Sequence, residues 1–190
     1  MSFAEYLDYD DGSDIRYDLL SDGALVEVPG EAWINNLLVK LLSARLEQVV
    51  DGSLIVAHVL TMQVEPIGDN RRSRHPDLLV LRPEHLQLPS LLTKTALLLG
   101  APPPQLIAEI VSPGGPQSDH YRRDYEWKRQ QYQDWGVPEY WIVDPHRAQV
   151  VVLVLKDGIY QEKIYTGAQR IESVAFPGVS ISADTVLNKC

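Results

Sequence analysis

One carboxylate stands in the middle of an apolar segment and restricts how this chain can fold. Residues 103–113, PPQLIAEIVSP, have the length and apolar content of a buried strand, and Glu109 interrupts it. Side chains alternate along a strand, so Glu109 shares a face with Ile107 and Val111, which is not a solvent-facing surface. A carboxylate there is costly unless a cation, a metal ion or a hydrogen-bond donor compensates it. The alternative is an edge strand on which Glu109 faces water.

A second carboxylate, Asp77, directly precedes another apolar run, in HPDLLVL at 75–81. If residues 78–81 form a core strand, Asp77 lies at its start, where it can face a cleft. Pro-Asp is also common turn chemistry, so a turn or capping role is the alternative. His75 beside it is either an assisting group at such a site or a polar loop residue.

A helix that carries Lys128 is predicted at 119–135, ending at Gly136. Asp124, Lys128 and Tyr132 are spaced i, i+4, i+8 and therefore share one helix face. That face either meets the carboxylates or forms a solvated salt-bridge stripe. The opposite face could supply the core contact instead, through Trp127, Gln131 and Trp135.

The remaining segments predict an α/β fold (α+β-like) with a mixed central β-sheet flanked by helices, an N-terminal hairpin and C-terminal strands. We expect one domain over residues 1–190. The predicted elements are a hairpin at 15–28 turning at Ser21-Asp22-Gly23, a helix at 31–50, strand-like residues at 53–66, a short helix within 82–104, a strand at 139–145, a hairpin at 148–165 turning at Asp157-Gly158 and a strand pair near 170–182.

Composition limits the class of protein. The chain is 45% hydrophobic and 23% charged, as in soluble globular proteins. Its apolar runs are shorter than the roughly 18–20 residues of a membrane span, and its acidic N-terminus does not resemble a signal peptide, so a cytoplasmic protein is expected. The one cysteine, Cys190, excludes an internal disulfide and a cysteine-based zinc site.

The charge of the chain bears on its partners. A net charge of −9 argues against nucleic acid, because phosphate binding usually leaves a basic footprint. A carboxylate site for a divalent metal is nevertheless negative until the metal binds. Basic residues also cluster locally, at 71–75 and 121–129. Zinc-hydrolase, phosphate-loop and serine-hydrolase motifs are missing from the sequence.

Four segments carry a family resemblance: DGALVEVP, HPDLLVL, LIAEIVSP and KRQQYQDWGVPEYWIVDP, in this order. They resemble the bacterial Uma-type family, whose members are restriction-endonuclease-like domains of the PD-(D/E)XK nuclease superfamily. The resemblance runs from about Tyr17 to beyond Pro145, with a looser fit to the chain end. It implies a restriction-endonuclease-like core.

The resemblance also implies a set of site residues. It makes Pro76-Asp77 the Pro-Asp element and Glu109 the acidic residue of the next strand, around Mg²⁺ (or Mn²⁺), with the main-chain oxygen of Ile110 as a further ligand. Val111 stands where the superfamily has its lysine, and the resemblance places that lysine on the following helix, at Lys128. An additional acidic residue is expected at Glu27, with Glu31 as the alternative.

The implied function is Mg²⁺-dependent endonuclease cleavage of DNA by a homodimer. One alternative is a catalytically inactive nuclease-fold module for binding or regulation, and another is a metal-dependent enzyme acting on a small phosphorylated molecule. The basic clusters supply candidate phosphate contacts, or ordinary surface arginines: Arg71, Arg72, Arg74, Arg122 and Arg123.

Overall fold

The computed structural model describes residues 1–30 and 32–187. In that part of the chain the strands are β1 Tyr17–Leu19, β2 Leu25–Glu27, β3 Ile55–Ala57, β4 Thr61–Gln63, β5 Ser73–Arg74, β6 Leu78–Val80, β7 Ala96–Leu97, β8 Leu106–Ile110, β9 Glu139–Asp144, β10 Gln149–Lys156 and β11 Ile159–Thr166. The helices are α1 Phe3–Leu7, α2 Trp33–Leu46, α3 Pro89–Lys94, α4 Asp119–Arg122, α5 Lys128–Trp135 and α6 Ala183–Leu187. A π-helical turn, Arg123–Trp127, joins α4 and α5 into one continuous helix.

The central sheet is mixed, as the sequence predicts. Its strand order is β11-β10-β9-β8-β6-β3. β8 and β9 run parallel, whereas the other neighbouring strands run antiparallel. Parallel neighbours need a crossover connection, and the α4–α5 helix is that crossover. The helix with Lys128 therefore directly follows the strand with Glu109 and packs beside it.

Two smaller sheets lie beside the central one. β1 and β2 form the predicted N-terminal hairpin, and its turn contains Gly23 at a φ of +86°. β4 pairs with β5 on one side and with β7 on the other. The main chain of Leu20 bridges to Arg71, which connects the hairpin to the segment that leads into β5 and on to Asp77.

The hydrophobic core lies on the middle strands of the central sheet. Every residue of β6, β8 and β9 is buried, which is typical of strands covered on both faces. From α2, Leu38, Leu42 and Leu46 enter this core at helical spacing, and α2 contacts β3 and β8. Every helix of the described chain is too short or too polar to cross a bilayer.

Several boundaries differ from the sequence prediction. The first long helix ends at Leu46 and is followed by a turn, so the predicted helical residues up to Val50 were wrong. The strand pair near 170–182 is an isolated bridge between Arg170 and Ser182. Helix α1 was not predicted, although Ser2 and Glu5 form a capping box at its start.

Candidate active site

Strand register brings Asp77 and Glu109 together. β6 and β8 are antiparallel with Leu78 opposite Ala108, so the residue before Leu78 lies across from the residue after Ala108. The two are also hydrogen-bonded, because the Asp77 amide donates to Glu109 Oε2 at 3.4 Å. The Ile110 amide donates to Asp77 Oδ2 at 2.6 Å, which fixes the orientation of that carboxylate. Both side chains are buried, so the edge-strand alternative for Glu109 is wrong.

The ammonium of Lys128 compensates the buried carboxylates. Its Nζ lies 2.8 Å from Glu109 Oε2 and 2.9 Å from Asp124 Oδ1. Burial lowers the pKa of Lys128, but the carboxylates of Asp124 and Glu109 outweigh it, so the pKa lies above its ordinary value and the ammonium stays charged. The face that carries Asp124, Lys128 and Tyr132 therefore points inward, and the solvated-stripe alternative is wrong.

The π-helical turn is explained by a contact with β9, and it has a consequence for the site. The Lys128 amide donates to the carbonyl of Arg123, five residues back, rather than to that of Asp124. The hydroxyl of Tyr140 donates to the Asp124 carbonyl instead, at 2.9 Å. A side chain inserted into the helical ladder in this way is a known cause of local distortion, and π turns recur at functional sites. Here the turn carries Asp124 and leads into Lys128.

Asp124 belongs to the site, although the sequence indicated it only as a member of the helix face. It is fully buried, and its Oδ1 accepts from Lys128 and, at 3.4 Å, from the Nε of Arg123. Its Oδ2 has no hydrogen-bond partner among residues 1–30 and 32–187. The sequence feature that could have indicated this role was a carboxylate four residues before the lysine, on the same helix face.

A cavity of about 270 Å³ opens beside these groups. Asp77, Ile110 and Lys128 form part of its wall, while Glu109 lies behind them with 1% of its surface exposed. The wall also includes residues of the segment after β2 and of the start of α2. The further polar groups at the wall are Asp18, Asn35, Arg74, His75, Ser112, His120 and Arg123.

The hairpin contributes Asp18 to this cavity and not Glu27, as far as the described chain defines its wall. Glu27 is exposed and borders a neighbouring cavity with His58 and His75. Glu31, the other sequence candidate, lies outside the described residues. Asp18 is buried and accepts from Arg71 Nε at 2.6 Å. In the sequence, the feature that could have indicated Asp18 was an acidic residue between Tyr17 and Leu19.

His75 is held by the N-terminal segment. Its Nε2 lies 3.2 Å from the Tyr6 hydroxyl, 3.2 Å from the Tyr17 carbonyl and 3.6 Å from Asp18 Oδ1. Burial lowers the pKa of His75 below its ordinary value, against the opposing effect of Asp18. The neutral imidazole thus ties α1 and β1 to the rim of the cavity.

The carboxylates fit a divalent cation in donor chemistry. No set of three or more His, Cys, Asp or Glu side chains in the described chain is already arranged around a metal position. Mg²⁺, however, is commonly bound through one or two carboxylates, with water and substrate phosphate as the other ligands. Asp77 and Glu109 supply such oxygens next to a cavity, and the buried Oδ2 of Asp124 is a polar atom that still lacks a partner in the described chain.

Comparison with known proteins identifies the family. The model of the Uma2 family, described as a putative restriction endonuclease, matches residues 3–184. A crystal structure of a putative nuclease belonging to DUF820 from Anabaena variabilis ATCC 29413 is similar, with a TM-score of 0.71 and 13% identity over 99% of this chain and 98% of that one. The likeness confirms the fold class, while the curated proteins give no match. The family model spans nearly the whole chain, so the sequence resemblance is confirmed and this chain belongs to the Uma2 family.

Proposed function

We propose that this protein is a divalent-metal-dependent endonuclease that hydrolyses phosphodiester bonds of DNA. The observation that carries the proposal is the buried cluster of Asp77, Glu109 and Lys128, of which Asp77 and Lys128 line a cavity. Water would add to phosphorus while the bond from phosphorus to the 3′ oxygen breaks and that oxygen takes up a proton, leaving a 5′-phosphate and a 3′-hydroxyl, as the superfamily resemblance implies. Membership of the Uma2 family supports this reaction class.

In the proposal, Asp77, Glu109 and the main-chain oxygen of Ile110 hold Mg²⁺, with Mn²⁺ as a substitute. When bound, the ion lowers the pKa of a coordinated water and neutralises charge on the phosphate. The two carboxylates are oriented before any ion arrives, because the Ile110 amide holds Asp77, and Lys128 holds Glu109. Such fixed orientation is what electrostatic stabilisation of a transition state requires.

Lys128 is the proposed catalytic lysine. Lys128 lines the cavity, so in the proposal its ammonium donates to a phosphate oxygen or to the attacking water. It does not depend on Glu109 alone for its position, because Asp124 binds it as well, from four residues earlier on the same helix. Asp124 is therefore a positioning residue.

The homodimer stays part of the proposal on general grounds. Enzymes that cut both strands commonly use two-fold symmetry, and two-fold dimers are the commonest oligomers. The alternative of an inactive binding or regulatory module is favoured by one observation. The Lys128 ammonium already pairs with both Glu109 and Asp124, so part of the negative charge of the cluster is compensated without a metal ion.

The test is incubation of the purified chain with supercoiled plasmid and with single-stranded DNA, in Mg²⁺, Mn²⁺ or EDTA. Asp77→Asn and Lys128→Met are run beside the wild type, with Asp134→Asn, on the surface of α5, as a matched control. Metal-dependent cleavage that both site variants lose and the control keeps supports the proposal. Cleavage that survives Asp77→Asn contradicts it, and metal binding without cleavage of either substrate favours the binding module.

A further inference from the structure

The arginines near the site differ in the number and length of the bonds that their guanidinium groups make within the fold. Arg71 binds Asp18 at 2.6 Å and Asp69 at 2.8 Å. Arg74 is 2% exposed, binds both oxygens of Asp69 at 2.8–2.9 Å and donates to Gln131 at 2.8 Å. Both guanidinium groups have short bonds to acceptors within the fold. Their role is to join the segment before β6 to the hairpin and to α5.

Two further arginines lie off the cavity wall, as far as the described chain defines it. Arg122 is exposed, pairs with Glu126 one helical turn on and stacks over Trp127. Arg72 belongs to the segment before β5, where its main chain bonds to Leu19 and to Val64. Neither residue is among those that line this cavity in the described chain.

Arg123 differs from these four. It lines the same cavity as Asp77 and Lys128, and 24% of its side chain is exposed. Its hydrogen bonds within the described chain are long, at 3.4 Å to Asp124 Oδ1 and 3.4 Å to Ser112 Oγ. A guanidinium has five N–H donors in a planar fork, so two long contacts leave capacity for a ligand. This cation is therefore at the wall and only loosely held.

The charge of Arg123 suits an anion. Burial lowers its pKa, but the neighbouring carboxylates, first Asp124 and then Glu109 and Asp77, outweigh this and raise it. The three carboxylates exceed the cations Lys128 and Arg123 by one formal charge, so a divalent ion would make the cluster net positive by one. A phosphodiester carries one negative charge, which would balance it.

We propose that Arg123 binds the phosphate group that enters the cavity, through the planar fork of its guanidinium. This rests on the proposed function for the phosphate substrate, but it concerns binding and can be tested without cleavage. Arginine matches two phosphate oxygens at once, whereas lysine acts as a point charge. Arg123 is the first residue of the π turn, and Lys128 follows the last one. The same turn therefore positions both the proposed phosphate contact and the proposed catalytic lysine.

The test compares Arg123→Ala and Arg123→Lys with Arg122→Ala, the neighbouring arginine outside the cavity. Affinity for a fluorescein-labelled DNA duplex is measured by anisotropy in Ca²⁺ at several salt concentrations. Arg123→Ala is expected to bind about tenfold more weakly or worse. Its slope of log affinity against log salt is expected to fall by about 0.9, the value for one lost phosphate contact. Arg123→Lys should keep most of the slope and lose affinity, and Arg122→Ala should resemble the wild type.

Two outcomes overturn the inference: an unchanged slope in Arg123→Ala, or equal losses in Arg123→Ala and Arg122→Ala. A purely structural role for Arg123 at Asp124 is distinguished by titrating Mn²⁺ into the same variants. Altered metal affinity with an unchanged salt slope would assign Arg123 to positioning and overturn the phosphate contact. If the wild type binds DNA through Arg123 but never cleaves it, the endonuclease proposal fails and the phosphate contact stands.

Discussion

Tyr132 and Lys128 hold the two oxygens of Glu109 separately. The Tyr132 hydroxyl donates to Oε1 at 2.6 Å, and the Lys128 ammonium lies 2.8 Å from Oε2. The two residues are one helical turn apart on α5, so a single rigid helix orients the carboxylate. Burial, reinforced by Glu109, raises the pKa of Tyr132 well above its ordinary value, so the hydroxyl remains a donor.

Tyr132→Phe should therefore affect both folding and activity. It leaves a buried carboxylate oxygen unpaired, at a cost of about 1–3 kcal/mol in the free energy of unfolding. Cleavage should fall about tenfold or more, because Glu109 loses its fixed orientation. Tyr160→Phe is the matched control, since that buried hydroxyl donates to the Val137 carbonyl, away from the carboxylates. Equal cleavage by the two variants, at comparable stability in urea, would contradict this role of Tyr132.

Lys128→Met should destabilise the metal-free protein strongly. It leaves Glu109 and Asp124 buried without their cation, and breaking a buried pair in this way costs about 3–5 kcal/mol. Glu109→Gln in the same chain should recover part of the loss in stability and none of the activity. Thermal unfolding of the single and double variants measures both effects. Additive losses in the double variant would show that the two side chains do not compensate each other.

Metal should stabilise the Lys128→Met variant more than the wild type. A divalent ion that binds only the folded state raises the free energy of unfolding, and the gain grows with the logarithm of the ion concentration above its dissociation constant. In the variant that ion also replaces the lost ammonium beside Glu109 and Asp124. The midpoint of thermal unfolding in Mg²⁺ or Mn²⁺, compared with EDTA, gives the shift. Asp77→Asn should reduce it, and an equal shift in all three chains would count against a site at these carboxylates.

Alternation and spacing predict part of this site, and tertiary contacts decide the rest. The apolar neighbours of Glu109 correctly indicate a buried carboxylate, because a strand has only two faces. The helix offers two plausible inward faces, and periodicity cannot choose between them. The π turn adds to the difficulty, since the hydroxyl of Tyr140 on β9 displaces a helical hydrogen bond at Asp124. No local pattern around Asp124 contains that information.

In the hairpin, too, the sequence predicts the local structure and tertiary packing decides the site residue. Its turn and register follow from Asp22-Gly23, but which of its carboxylates reaches the cavity depends on how the hairpin packs against β5. The five-residue helix α1 is too short to be stable alone, so its capping box becomes informative only once the segment packs. The contact between Tyr6 and His75 joins that segment to the site.

His75 should make stability depend on pH just below neutrality. Its pKa in the folded chain is lowered by burial, so below about pH 6.5 the unfolded chain binds a proton that the folded chain does not. Stability should therefore rise with pH up to about 6.5 and fall on acidification, by at most about 1.4 kcal/mol per pH unit for this group. Urea unfolding between pH 5.5 and 7.5, within roughly the titration range of histidine, measures the slope. His75→Gln should flatten it, whereas the exposed His120→Gln should not, and an unchanged slope in His75→Gln would refute the assignment.

The two carboxylates of the hairpin can be separated by substitution. Asp18 lines the cavity and Glu27 borders the neighbouring one, so Asp18→Asn should reduce cleavage more than Glu27→Gln. Asp18 also pairs with Arg71, and Asp69→Asn controls for that effect because Asp69 binds the same arginine. The measurement is the initial rate of plasmid cleavage at saturating Mg²⁺. A larger loss in Glu27→Gln would mean that the hairpin moves Glu27 toward the carboxylate pair when substrate binds, and would restore the role that the family resemblance implies for it.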